Sequence, residues 1–218
     1  MSTEKIIADW KKKAYHPVYW LEGEESFYID QVVEYAEHEI LSESEASFNL
    51  TVFYGKDANW ADIVNACRRY PMFGERQVVI LKEAQQMRDV EKLEAYISSP
   101  LASTILVVAH KEKKVDGRSK LAKYLKQNAV HVVTKKMYDS QLPEWTNELV
   151  QSKGYTISKK ALALLVDHIG NDISRINNEI DKLLINLVSR KNITEEDIEE
   201  YVGISKEYNV FELQEALQ

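Results

Sequence analysis

Two stretches of this chain, Val78-Val79-Ile80-Leu81 and Ile105-Leu106-Val107-Val108, are apolar at four positions in a row. Successive side chains on a strand point to opposite faces, so a strand built this way must be covered on both sides. A parallel sheet sandwiched between helices meets that demand. Three further runs rich in β-branched and aromatic residues, Pro17–Leu21, Asn49–Tyr54 and Val130–Thr134, join Gln77–Leu81 and Thr104–Ala109 as strand candidates. Helical spacing fills the gaps. It places Ile29, Val32, Val33, Ala36 and Ile40 on one face over Phe27–Leu41, and Ile63, Val64 and Cys67 over Trp60–Cys67. It does the same for Leu93, Tyr96 and Ile97 over Val90–Ile97, and for Leu121, Tyr124 and Leu125 over Arg118–Asn128. Strands alternating with helices predict βαβ units with right-handed crossovers, hence a doubly wound α/β domain over residues 1–137. Asp9 and Trp10 are expected on a terminal helix packed against its sheet.

The pattern changes after Thr134. Leu142–Val150 (with Pro143 near its start), Ser158–Ile169, Ile173–Val188 and Thr194–Tyr201 all have helical spacing, and no further strand candidate follows. Ser158 is placed to cap one helix and Gly170 to stop it. Thr194-Glu195-Glu196-Asp197 approximates a capping box. A small all-helical domain over 138–206 is therefore expected. Val210, Leu213 and Leu217 then form an apolar stripe over Phe211–Leu217. The expectation is the start of a truncated further domain over 207–218; a short docked terminal helix would give the same stripe.

Glycine spacing excludes much chemistry. The closest two of seven glycines, Gly154 and Gly170, are sixteen residues apart. No GxGxxG and no GxxxxGK loop can exist, so the clustered backbone N–H groups that cradle a phosphate are missing. Neither a GxSxG elbow nor an HExxH pair is present. His110 and His131, the nearest histidines, are twenty-one apart, and Cys67 is the single cysteine. Neither a short-spaced metal pair nor an internal disulfide can form. No catalytic residue, cofactor or metal is expected. The lone cysteine, together with no apolar run near the ~20 residues of a membrane span and no visible secretory signal, leads us to expect a cytoplasmic protein.

Charge is unevenly spread within a net −7. Leu21 to Asp62 holds eleven acids and one base, whereas Lys111 to Lys136 holds nine bases and two acids. The simplest account is two solvated faces of opposite sign. The basic band, with Lys111, Lys113 and Lys114 in one loop, is the alternative place for phosphate or rim contacts. Glu24 and Glu25 are expected in the first turn of the Phe27–Leu41 helix, where acids suit the helix dipole. The sharpest candidate is Pro71-Met72-Phe73. A helix should end near Cys67-Arg68-Arg69-Tyr70, Pro71 fixes a turn, and a thioether and an aromatic ring then sit on a short loop flanked by Arg68, Arg69 and Arg76. Two orientations fit the pattern: an inward one that seals the base of the domain, and an outward one that anchors in another molecule's pocket.

Six segments, in order, resemble the delta-subunit family of bacterial DNA polymerase III. They are Tyr19-Trp20-Leu21-Glu22-Gly23-Glu24-Glu25-Ser26-Phe27-Tyr28-Ile29-Asp30, Asn49-Leu50-Thr51-Val52-Phe53-Tyr54-Gly55, Tyr70-Pro71-Met72-Phe73-Gly74-Glu75-Arg76-Gln77-Val78-Val79, Arg118-Ser119-Lys120-Leu121, Gly170-Asn171-Asp172-Ile173 and Asn209-Val210-Phe211-Glu212-Leu213. The resemblance implies an AAA+-like (RecA-type) α/β domain of five parallel strands without a phosphate loop, then a helical lid, with the collar domain missing. It also implies a non-catalytic wrench that binds the ring-shaped sliding clamp and helps to open it, while neighbouring subunits handle ATP. Met72 and Phe73, with Pro71 and Arg76 beside them, match the family's clamp-contacting stretch, which favours the outward orientation. Other clamp-loader subunits would join through the collar, and primed DNA would be met indirectly. The only cysteine follows Ala66, so the Ser-Arg-Cys arginine-finger motif of ATPase-activating members is absent. The rivals are an enzyme using the carboxyl ends of the strands, and a scaffold with a different partner.

Overall fold

In a computed structural model the chain is described over residues 2–187 and 190–203. It divides into two compact units, Met1–Lys136 and Met137–Gln218. The expected Phe211–Leu217 helix, the Asn209–Leu213 motif and the collar segment 207–218 lie outside the described residues.

The first unit is built on five strands, β1 (Val18–Gly23), β2 (Leu50–Tyr54), β3 (Gln77–Lys82), β4 (Thr104–Lys111) and β5 (Val130–Thr134). All neighbours pair in parallel, in the order β2-β3-β4-β1-β5. Helices α1 (Thr3–Lys11), α2 (Ser26–His38), α3 (Glu43–Asn49), α4 (Trp60–Cys67), α5 (Glu94–Ile97) and α6 (Lys120–Asn128) accompany them. The consecutive apolar residues do what the pleat requires. Val78, Ile80, Ile105 and Val107 pack on one face with Ile6, Trp10, Ile29 and Val32 of α1 and α2. Val79, Leu81, Leu106 and Val108 pack on the other with Ile63, Cys67, Leu93, Ile97 and Leu121. Each fully buried side chain of this size contributes about 1.5–3 kcal/mol relative to exposure. The edge strands β2 and β5 are only partly buried, as their position dictates.

Local chemistry shifts several boundaries. The Phe27–Leu41 helix stops at His38, and a separate helix, α3, follows, started by a capping box between Ser42 and Glu45. Asn49 accordingly ends a helix instead of opening a strand. Glu25 is the N-cap of α2 and Glu24 precedes it, so neither lies in the first turn as expected. The Arg118 helix starts at Lys120, because Ser119 caps it by accepting from the Ala122 N–H.

The second unit holds α7 (Leu142–Ser152), α8 (Lys159–Ile169), α9 (Ile173–Asn186) and the short α10 (Glu195–Asp197). Its core gathers Leu142, Val150, Leu165, Ile176, Ile180 and Leu183. The Gly170-Asn171-Asp172 motif is a helix junction. Gly170 takes φ +70 at the end of α8, Asn171 donates to the Met137 carbonyl at 2.6 Å, and Asp172 caps α9. One expectation is corrected here. A two-residue parallel pair joins β6 (Thr156–Ile157) to β7 (Asn192–Ile193), so strand pairing does continue after Thr134. Two residues are too few for alternation to register in a sequence. Among the described residues no helix is long and apolar enough to cross a membrane.

Candidate functional site

Parallel α/β folds bind ligands at the carboxyl ends of their strands. In this chain that edge is closed where a phosphate loop would start. Only Glu24 and Glu25 separate β1 from α2. Gly23 has φ +125, and a Cβ there would meet the Thr134 carbonyl oxygen at 2.0 Å. The Glu25 carboxylate already accepts the Phe27 N–H at 3.4 Å, putting the protein's own negative charge where an anion would sit.

Beneath this turn lies a buried carboxylate. Glu22 on β1, 3% exposed, accepts from Trp20 Nε1 and the Val115 N–H, both at 3.0 Å. His131 Nε2 on β5 lies 3.1 Å from its other oxygen, and His110 Nδ1 on β4 is 4.0 Å away. His110 also faces the Lys113 carbonyl at 3.1 Å. The cluster ties the loop after β4 to the sheet. Burial pushes the Glu22 carboxyl up, but the adjacent His131 and the bonds from the Val115 amide and Trp20 more than offset this, leaving it below the usual 4.5. Burial holds His110 below the usual 6.5, against the pull of the Lys113 carbonyl and Glu22. A depressed histidine means that the unfolded chain binds the proton first, so stability is lost as pH falls below 6.5. A depressed carboxyl contributes stability above 4.5 that is lost as pH falls through its folded value. Both act in one direction. The melting temperature is expected to drop on acidification beginning above the carboxylate range of about 4. An unchanged melting temperature between about pH 7 and 5 would sink this account of His110.

The basic loop is equally well held. Lys111 Nζ lies 2.5 Å from Asp30 Oδ1 on α2, and Lys113 Nζ donates to the Gln85 carbonyl at 3.4 Å. Lys114 is exposed. Of these three expected contact residues, the structure leaves Lys114 most available.

The opposite, amino edge of the sheet carries the apolar tip, in the α4–β3 connection. Phe73 is 89% exposed, Met72 54% and Tyr70 79%. Of the two orientations the sequence permits, these side chains take the outward one. The loop is nonetheless firmly anchored. Gln77, buried at the start of β3, has its side-chain nitrogen 2.6 Å from the Arg69 carbonyl and 2.8 Å from Thr104 Oγ1. The Thr104 hydroxyl donates to the Cys67 carbonyl at 2.8 Å. Asn49, from the end of α3, bonds both backbone groups of Met72. Phe73 itself sits at φ +57, a conformation bulky residues adopt at a cost of about 1–3 kcal/mol.

Two further residues complete the site. Phe48, 61% exposed, meets Phe73 edge-on, with ring centroids 5.9 Å apart at 75°. The neighbouring Asn49 supplies the anchor. Sequence reasoning missed both, although the Ser42–Glu45 capping box and a lone aromatic in a polar run were legible signals. Pro71 is half-buried beside Met72. Arg76 turns back onto the domain, its guanidinium 4.6 Å from the Tyr15 ring centre and 3.4 Å from Glu75. Arg68 is likewise occupied, donating to the Ala95 carbonyl at 3.0 Å. Among the described residues no group of three or more His, Cys, Asp or Glu side chains is placed to hold a metal.

Residues 19–135 match the family model described as DNA polymerase III, delta subunit. The protein called DNA polymerase III subunit delta in Bacillus subtilis (strain 168) is 30% identical over 213 residues, 93% of this chain and 61% of that one. The chain thus spans about three fifths of that relative's length. Among solved structures, the Bacillus subtilis DNA clamp loader delta protein superposes with a TM-score of 0.71 at 30% identity, covering 99% of this chain and 66% of the other. A Thermotoga maritima RuvB variant reaches 0.52 at 13% identity, covering 92% and 66%. At that identity the likeness is one of fold, the AAA+-like arrangement of sheet and helices.

Proposed function

This chain belongs to the DNA polymerase III delta subunit family, and from that premise we propose that it is a non-catalytic clamp-loader subunit, cytoplasmic, that grips the sliding clamp through the Met72–Phe73 tip and helps to open the ring. The observation that supports this most is Phe73, almost wholly exposed on a loop anchored by two buried amides. An exposed aromatic costs solubility unless a partner covers it, and an anchored one loses little entropy on docking. The mechanism is differential affinity. A protein that binds an opened or distorted ring more tightly than a closed one shifts the ring population toward opening, by no more than that difference in affinity.

ATP enters through partner subunits in this reading, because in the β1–α2 turn the Thr134 backbone closes against Gly23 and the Glu25 carboxylate takes the Phe27 N–H. Those subunits would assemble through a collar, and primed DNA would be approached with Lys114 as the freest of the loop lysines.

A pull-down of a purified sliding clamp by the chain, with and without ATP, tests the proposal. Equal capture in both conditions is expected. Absence of capture, or ATP hydrolysis by the chain alone, would overturn it.

A further inference from the structure

Asn49 is 3% exposed, and its side-chain amide meets the Met72 backbone twice. The Met72 N–H donates to Oδ1 at 2.7 Å, and Nδ2 donates to the Met72 carbonyl at 2.8 Å. This is the reciprocal exchange of bonds between paired strands, made here by one side chain 23 residues away. It holds both peptide groups flanking Met72, the second of which is also the peptide of Phe73. Next comes the positive φ of Phe73, which persists only where the surroundings over-determine it. Then comes Gly74, where an added Cβ would stand 3.3 Å from both Asn49 Nδ2 and Glu45 Oε1. The ring of Phe48, next to Asn49, steadies that of Phe73 from the side.

We infer that Asn49 is a positioning residue for the tip: it presets the Met72–Phe73 backbone in the form that docks, so that engaging a clamp requires no ordering of the loop. The inference rests on the clamp-binding reading above and specifies how the tip achieves its affinity. A bidentate bond from a buried amide supports this because a side chain already fixed by the fold holds the Met72 backbone before any partner arrives.

The test measures, for the 218-residue chain, the Kd for a purified bacterial sliding clamp and the hydrogen exchange of the Met72 amide. The variants are Asn49→Ala, Asn49→Asp, Phe73→Ala and the Asn49→Ala/Phe73→Ala pair. Asn49→Ala is expected to open the Met72 amide to fast exchange, leave sheet amides protected, and raise Kd about tenfold. Asn49→Asp keeps the acceptor for the Met72 N–H but sets a second, charged acceptor against the Met72 carbonyl in a buried site, so it should lose at least as much as alanine. In the Phe73→Ala background the Asn49 change should add little, since no ring is left to position. A loss that persists undiminished there marks general weakening of the fold and overturns the inference. So does an unchanged Kd in Asn49→Ala, which leaves the clamp reading standing. Failure of the wild-type chain to bind a clamp overturns that reading and this inference together.

Discussion

Replacing Phe73 by alanine should weaken capture of the sliding clamp by about 2–4 kcal/mol, roughly 30- to 1,000-fold in Kd, while leaving the melting temperature almost unchanged. The two halves of this expectation have one cause. A ring that is 89% exposed contributes little to the stability of its own domain, and surface changes of that kind usually stay within about 0.5 kcal/mol. The same ring, once seated in an apolar pocket, loses most of its contact with water. Phe73→Gly separates the effects further. Glycine relieves the positive φ, so this variant should fold at least as well as wild type and bind no better than Phe73→Ala. Titration of each variant against clamp, beside a thermal melt, supplies both numbers. Wild-type affinity in a folded Phe73→Ala protein would end the assignment of this loop.

Glu22→Ala should do the reverse: it destabilises the first unit by about 3–5 kcal/mol and leaves the Met72–Phe73 tip, at the opposite edge of the sheet, untouched. Removing the carboxylate strands the indole N–H of Trp20 and the amide of Val115, and it leaves His131 beside an emptied site. Each buried donor left unpaired costs about 1–3 kcal/mol, and the cavity adds to that. Glu22→Gln keeps the shape and one acceptor oxygen, so it should recover much of the loss. In a melt this corresponds to a drop of roughly 10 °C for the alanine variant and clearly less for glutamine. A Glu22→Ala protein melting within a couple of degrees of wild type would mean that water replaces the carboxylate and that the cluster holds nothing together.

Some of this was written plainly in the chain. Runs such as Val78–Leu81 admit one environment, between two layers of helix, because a pleated strand shows both faces within two residues. The turn at Gly23 and the place of the Met72–Phe73 tip were visible through motif order, and wide glycine spacing denied a phosphate loop anywhere. Other features left weaker traces. Helix α3 was announced by Ser42 and Glu45 but masked by the strand-like run that follows it. The β6–β7 pair was too short to show periodicity. Arg76 read as a free flanking charge, yet it stacks on Tyr15, sixty-one positions earlier.

Sequence alone determined the sheet, its two-sided core and the lack of a phosphate cradle, since each depends on residue type and short spacing. Tertiary structure alone decided which way the tip faces and what holds it. Asn49 reaches Met72, and Glu22 reaches Val115, only after parallel pairing has brought distant segments to the same edge of the sheet. Contacts across 23 and 93 residues depend on chain closure, and no local pattern encodes where a closed chain places a side chain.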